Sequence, residues 1–148
     1  MINKFDLEKI GEEMYELIRE LYPINRSITG DGVRKTLKIL QKKIELKIHE
    51  VPSGTKVFDW TIPQEWNIND AYILNSKNEK IVDFQKSNLH VLQYSIPIKT
   101  RIKLDELKNH IYTLPKQPKN IPYITSFYSK NWGFCMSHKD FENLQDGE

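Results

Sequence analysis

The sequence predicts an α+β fold, with helices first and small strand-built units after them. Three observations carry this. Apolar residues recur at three- and four-residue steps as far as Ile44; the pattern changes to short β-prone runs after Pro52-Ser53-Gly54; and Pro115, Pro118 and Pro122 punctuate an aromatic closing third. The chain has 148 residues, 39% hydrophobic and 28% charged, which suits a folded domain burying roughly two thirds of its unfolded surface.

The first helix is predicted from Phe5 to Leu21. Phe5, Ile10, Met14, Leu17, Ile18 and Leu21 share a face, so it should pack on something, and Pro23 ends it. The glutamate row Glu8, Glu12, Glu13, Glu16 and Glu20 reads as a solvated face rather than a metal site, since no histidine accompanies it. A second helix is expected to start at Gly32 or Val33, capped by Asp31. Its apolar stripe is Val33, Leu37, Leu40 and Ile44, with Arg34, Lys35, Lys38, Lys42 and Lys43 on the wet side. Leu46, Ile48 and Val51 then suggest a short strand.

Val57, Phe58 and Trp60 suggest another strand, stopped by Pro63. Ala71 to Leu74 and Ile81 to Phe84 read as a hairpin across the polar run 75–80, and Leu89 to Ile98 as a third β segment of the same small sheet. Leu104, Leu107 and Ile111 predict a short helix over that sheet. Tyr123 to Tyr128 and Trp132 to Met136 are further β candidates that would pair, and Asp140 to Leu144 makes a helical turn.

Composition narrows the function. A net charge of +2 with scattered lysines argues against a nucleic-acid partner. No apolar run approaches the roughly 20 residues of a membrane span. The single cysteine, Cys135, excludes an internal disulfide framework and points to a reducing compartment, with the cytoplasm as the default.

Candidate chemistry is sparse. Cys135 and His138 are three apart, the minimum for a thiolate and its base, but a cysteine between Phe134 and Met136 reads more readily as a small buried hydrophobe. His49, His90, His110 and His138 have no zinc-site spacing, and His90 is expected on the surface. The turn Thr29-Gly30-Asp31-Gly32 lacks the Lys-Ser/Thr of a phosphate loop, and Asp31 disfavours an anion there. Trp60, Trp66, Tyr123, Tyr128 and Trp132 are the candidate ligand contacts. Their flat rings suit sugar faces or peptide side chains, while the plainer alternative is core packing. No catalytic, cofactor-binding or metal-binding set is assigned.

The loop Arg26-Ser27-Ile28-Thr29-Gly30, the lysine-ended helix and the strand leading into Pro52-Ser53-Gly54 resemble the opening of the di-zinc aminopeptidase superfamily. The runs 58–66, 94–97, 114–115, 121–123 and 132–135 resemble one branch of it, the bacterial aminopeptidase-like proteins associated with polysaccharide biosynthesis. The resemblance implies that residues 1–60 and 124–148 form part of a peptidase-like α/β sheet domain, with residues 61–123 as an inserted β-rich domain. It implies zinc for the complete architecture, yet the family's metal ligands have no matching positions here.

Two functions follow. The first is the N-terminal portion of a zinc aminopeptidase-like hydrolase, inactive alone and completed by a C-terminal remainder or partner subunit. The second is a noncatalytic module binding a peptide, a glycan or a partner. On the first reading, an unpaired sheet edge would expose apolar surface near Val33, Leu37, Ile48 and Phe134, so that the chain self-associates or is marginally stable; the module of the second reading is stable without the remainder.

Overall fold

Helix α1 (Lys4–Leu21) follows the predicted periodicity, and Arg26 closes its end by donating from Nη1 to the Leu21 carbonyl at 2.8 Å. The computed structural model describes residues 4–127 and 129–145 and shows an α+β protein. It divides into two units, Met1–Asn67 and Ile68–Glu148.

In the first unit, the face of α1 expected to pack is open. Leu7, Ile10, Met14 and Ile18 are all exposed, and among residues 6–21 only Leu17 and Leu21 are half-buried. Helix α2 (Asp31–Leu40) starts earlier than expected, because Gly30 and not Asp31 is the cap. No side chain caps it, and the Asp31 amide donates instead to Asn67 Oδ1 at 2.7 Å. Its buried residues are Thr36 and Ile39, whereas Val33, Leu37 and Leu40 are half-buried and Ile44 is exposed. The centre of the inward face is therefore rotated from the expected stripe. Thr36 tolerates this burial because its hydroxyl donates to the Gly32 carbonyl at 2.9 Å.

Residues 45–51 form no ladder, so the strand expected from Leu46 to Val51 is absent. A strand needs a partner, and none of the described residues supplies one. The strand expected from Val57 to Trp60 is instead a tight antiparallel hairpin, β1 (Lys56–Val57) against β2 (Trp60–Thr61). Phe58 turns it with φ 55° and is 99% exposed.

The second unit contains the core. Strands β3 (Tyr72–Leu74) and β4 (Lys80–Asp83) form the predicted antiparallel hairpin. Asn75 explains its loop: Oδ1 accepts from the amides of Lys77 at 3.0 Å and Glu79 at 2.9 Å, holding a turn in which Asn78 takes a positive φ. Helix α3 (Leu104–Lys108) is shorter than predicted because Ile111 belongs to β5 (Ile111–Tyr112), which pairs in parallel with β6 (Phe134–Cys135). This pairing joins residues on both sides of position 123 within one unit. Helix α4 (His138–Glu142) is capped by Ser137, whose hydroxyl accepts from the Asp140 amide at 3.1 Å.

The run from Leu89 to Ile98 is not a third strand of the hairpin sheet. Ser87 caps a 3-10 turn at Asn88–His90, and Tyr94 turns the chain with φ 65°. Between them Val91, Leu92 and Gln93 are buried, held by single bridges from Val91 to Phe134 and from Gln93 to Thr125. Tyr123 to Phe127 therefore contributes one bridge rather than a strand paired with 132–136. Ile73, Val82, Ile111 and Met136 form the hydrophobic cluster, with Leu107, Phe134 and Phe141 packed around it. Each such aliphatic side chain contributes about 1.5–3 kcal/mol on burial.

Candidate functional site

The loop that carries the Arg-Ser-x-x-Gly motif is a hydrogen-bonded joint in the first unit. Ser27 Oγ donates to the Thr29 carbonyl at 2.6 Å, and Thr29 Oγ1 accepts from the Trp66 amide at 3.2 Å. Gly30 has φ +93°, and a Cβ there would sit 2.3 Å from the Trp66 carbonyl oxygen. Only glycine gives both that conformation and that approach.

Arg34, assigned to the wet side of α2 from the sequence, is the hub of this joint. Its Nη1 donates to Glu65 Oε1 at 2.8 Å while Nη2 reaches Glu65 Oε2, its Nε donates to Glu50 at 2.9 Å, and Asp31 lies at 3.2 Å. The hydrogen bond to Glu65, then that to Glu50, raises the already high pKa of the guanidinium. Hydrogen bonds from Arg34, then Asn67, hold the Glu65 carboxyl down at about 2. With its donor fork committed to protein carboxylates, Arg34 performs an architectural role: it ties α2 to residues 50 and 65. The sequence signal for it was a lone arginine among lysines, suited to bidentate pairing.

In the second unit, three histidines surround β5 and β6. His90 is half-buried rather than on the surface, with Nδ1 2.8 Å from the Cys135 carbonyl oxygen, and His110 Nδ1 lies 3.1 Å from that of Trp132. A carbonyl only accepts, so in both contacts the ring Nδ1 is the donor. His138 is drawn instead to Thr113 Oγ1, 2.9 Å from Nδ1, and to Glu142, 3.5 Å from Nε2. Cys135 is 0% exposed, and burial pushes its thiol up to about 11, so it is the inert hydrophobe of the plainer reading.

Asp83 is buried, which alone would raise its pKa. The Gln85 amide and then Lys80 outweigh that cost and lower it, making a structural carboxylate at the end of β4. Two zinc ions do not fit these residues: among the described residues no three His, Cys, Asp or Glu side chains converge into a set able to hold a metal.

The candidate aromatics fall in both units. Trp60, on β2, is exposed, and Trp66 is half-buried at the Gly30 joint. Tyr123 is exposed, whereas Trp132 stacks on His110 with ring centres 3.7 Å apart and planes 11° from parallel. Tyr128 lies outside the described residues. Sequence reasoning missed the His110–Trp132 stack, because neither spacing nor composition marks a contact across 22 positions.

Comparison with known proteins places this geometry. A family profile described as "Domain of unknown function (DUF2172)" matches residues 65–148. A Clostridium acetobutylicum protein, named for polysaccharide biosynthesis and an aminopeptidase-like domain, is 54% identical over 99% of this chain. The chain spans 34% of that relative's length. A crystal structure of a C. acetobutylicum protein described as a peptidase superposes with a TM-score of 0.90 at 56% identity, covering 94% of this chain and 33% of the other. Among the described residues, no helix is long and apolar enough to cross a membrane.

Proposed function

The chain belongs to the family described as "Domain of unknown function (DUF2172)", and from that membership we propose that it forms the N-terminal portion of a zinc aminopeptidase-like hydrolase. The observation that carries this is the 54% identity to a relative about three times as long, whose name includes an aminopeptidase-like domain. The open apolar face of α1 supports it, since an amphipathic helix of this kind is stable chiefly when its stripe is covered.

On this reading the chain supplies no metal ligand and no general base. Its first unit contributes a braced helix, and the zinc, the water it activates and the substrate amine site belong to the remaining length. The chain alone is inactive. The single buried thiol suits a reducing compartment such as the cytoplasm.

The test joins the chain to the remaining length of the C. acetobutylicum relative and measures release of N-terminal amino acids from peptides. Zinc-dependent release by the joined protein, lost on chelation and absent from the 148-residue chain, is the expected result. A folded joined protein without hydrolase activity, or activity from the short chain, overturns the proposal. A second reading, a noncatalytic binding module, is favoured by the exposed rings of Trp60 and Tyr123. It predicts that the short chain binds a peptide or glycan on its own, with affinity lost in Trp60→Ala or Tyr123→Ala.

A further inference from the structure

We propose that residues 96–103 form a surface arch that binds the second unit to an anionic membrane surface. The proposal goes beyond the hydrolase reading and does not depend on it, since it concerns where the chain rests and not what it cleaves. A peripheral contact of this kind needs no spanning helix, and none is present among the described residues.

The arch is fixed at both feet. Tyr94, with φ 65°, turns the chain out of the buried run 91–93, and the Ile96 amide then donates to the Asn131 carbonyl at 2.9 Å. At the other foot Leu104 is buried, and the Lys103 carbonyl accepts from the Leu107 amide at 2.9 Å in the first turn of α3. Pro97 has no amide to offer a neighbouring strand, which disfavours pairing of this stretch. Residues 96–101 are all exposed, Ile96 at 41% and Ile98 at 48%.

The cations follow directly. Lys99, Arg101 and Lys103 are exposed, and the hydrogen bond from Ile96 to Asn131 brings in Lys130, which is also exposed. None of these four side chains is in an ion pair among the described residues. The acidic residues next along the chain, Asp105 and Glu106 in the first turn of α3, are outnumbered by them.

The isoleucines decide between anionic partners. A soluble polyanion would engage the lysines and the arginine and leave Ile96 and Ile98 in water. A lipid surface offers phosphate groups to the cations and hydrocarbon to the isoleucines, so only there do both parts of the arch gain. Basic charge without apolar neighbours would not make this distinction.

Vesicle flotation tests the proposal with the 148-residue chain and with the chain joined to the remaining length of the C. acetobutylicum relative. Both should float with vesicles of mixed phosphatidylglycerol and phosphatidylcholine, neither with phosphatidylcholine alone, and added salt should weaken the binding. Lys99→Glu combined with Arg101→Glu should weaken partitioning about tenfold or more, and Ile98→Ser about threefold or more. Lys35→Glu combined with Lys38→Glu, at exposed positions of α2, should change it less than about twofold.

Failure of the short chain to float with the mixed vesicles overturns the proposal, as does an equal loss from the α2 substitutions, which would mark general positive charge as the cause. Flotation unaffected by Ile98→Ser overturns it in favour of a soluble polyanion. Flotation of the short chain but not of the folded joined protein overturns it too, because the arch would then be covered by the remaining polypeptide. Hydrolase activity is read separately, so the loss of either result leaves the other standing.

Discussion

Arg34 and Glu65 form a two-point clasp in which both terminal nitrogens of the guanidinium meet both oxygens of one carboxylate across 31 positions of sequence. The clasp fixes where the chain returns to α2 after the β1–β2 hairpin. Asn67 adds a third contact by donating to Glu65 Oε1 at 3.0 Å.

Acid should loosen this clasp in a defined window. The Glu65 carboxyl is held at about 2 in the folded chain against 4.5 ordinarily, so its contribution is complete above pH 4.5 and is lost as pH falls through 2. Urea unfolding followed by tryptophan fluorescence should show the midpoint falling across that interval. Glu65→Gln should flatten the fall, and an unchanged slope in the variant would move the origin of acid sensitivity elsewhere.

Gly30→Ala should destabilise the first unit by about 1–3 kcal/mol, the combined cost of a positive φ for alanine and overpacking. Its Cβ would lie 2.3 Å from the Trp66 carbonyl oxygen and 2.6 Å from Asn67 Oδ1. The Asp31 amide, which donates to Asn67, should lose exchange protection in the same variant. Retained stability and protection would show that the loop relaxes around a side chain.

Two truncations should separate the covered face from the open one. Leu92 is 1% exposed, so Leu92→Ala should cost about 2–5 kcal/mol in urea unfolding. Ile10, at 46% exposed on α1, should change the isolated chain by no more than about 0.5 kcal/mol on truncation to alanine. A large effect at Ile10 would mean that α1 packs in solution.

How far the sequence could be read depended on how local the determinants were. α1 and the β3–β4 hairpin were legible because helical periodicity and the Asn75 turn act within a few residues. The run 89–98 was not. Its alternating apolar residues satisfy strand periodicity, but Ser87 and Tyr94 impose a cap and a turn that periodicity cannot register. The parallel β5–β6 pairing also escaped notice, since Ile111 fits equally well as the last apolar residue of a helix. At the candidate site, the inert Cys135 was legible from its apolar neighbours. The Arg34 hub was not, because its partners Glu50 and Glu65 lie 16 and 31 positions away in sequence.

Limited proteolysis with trypsin should cut first near Lys56 or at Lys116 and Lys119, all exposed and set among turns. Lys56 lies just before the stretch that the resemblance implies as an insert, residues 61–123, and Lys116 and Lys119 lie in its last eight residues. Mass spectrometry of the first fragments reads this directly. First cleavage next to Lys99 or Arg101 would show that the connection after 91–93 opens before the flanks do.

The sealed position of Cys135 makes the protein its own stopwatch. The thiol is 0% exposed and, at about 11, almost wholly protonated near neutrality, so an alkylating reagent must wait for the second unit to open. When reagent is abundant, the labelling rate equals the frequency of opening; when it is scarce, the rate reports the fraction of time spent open. A single native atom thus gives the lifetime and the population of a breathing motion at β6, without any added probe.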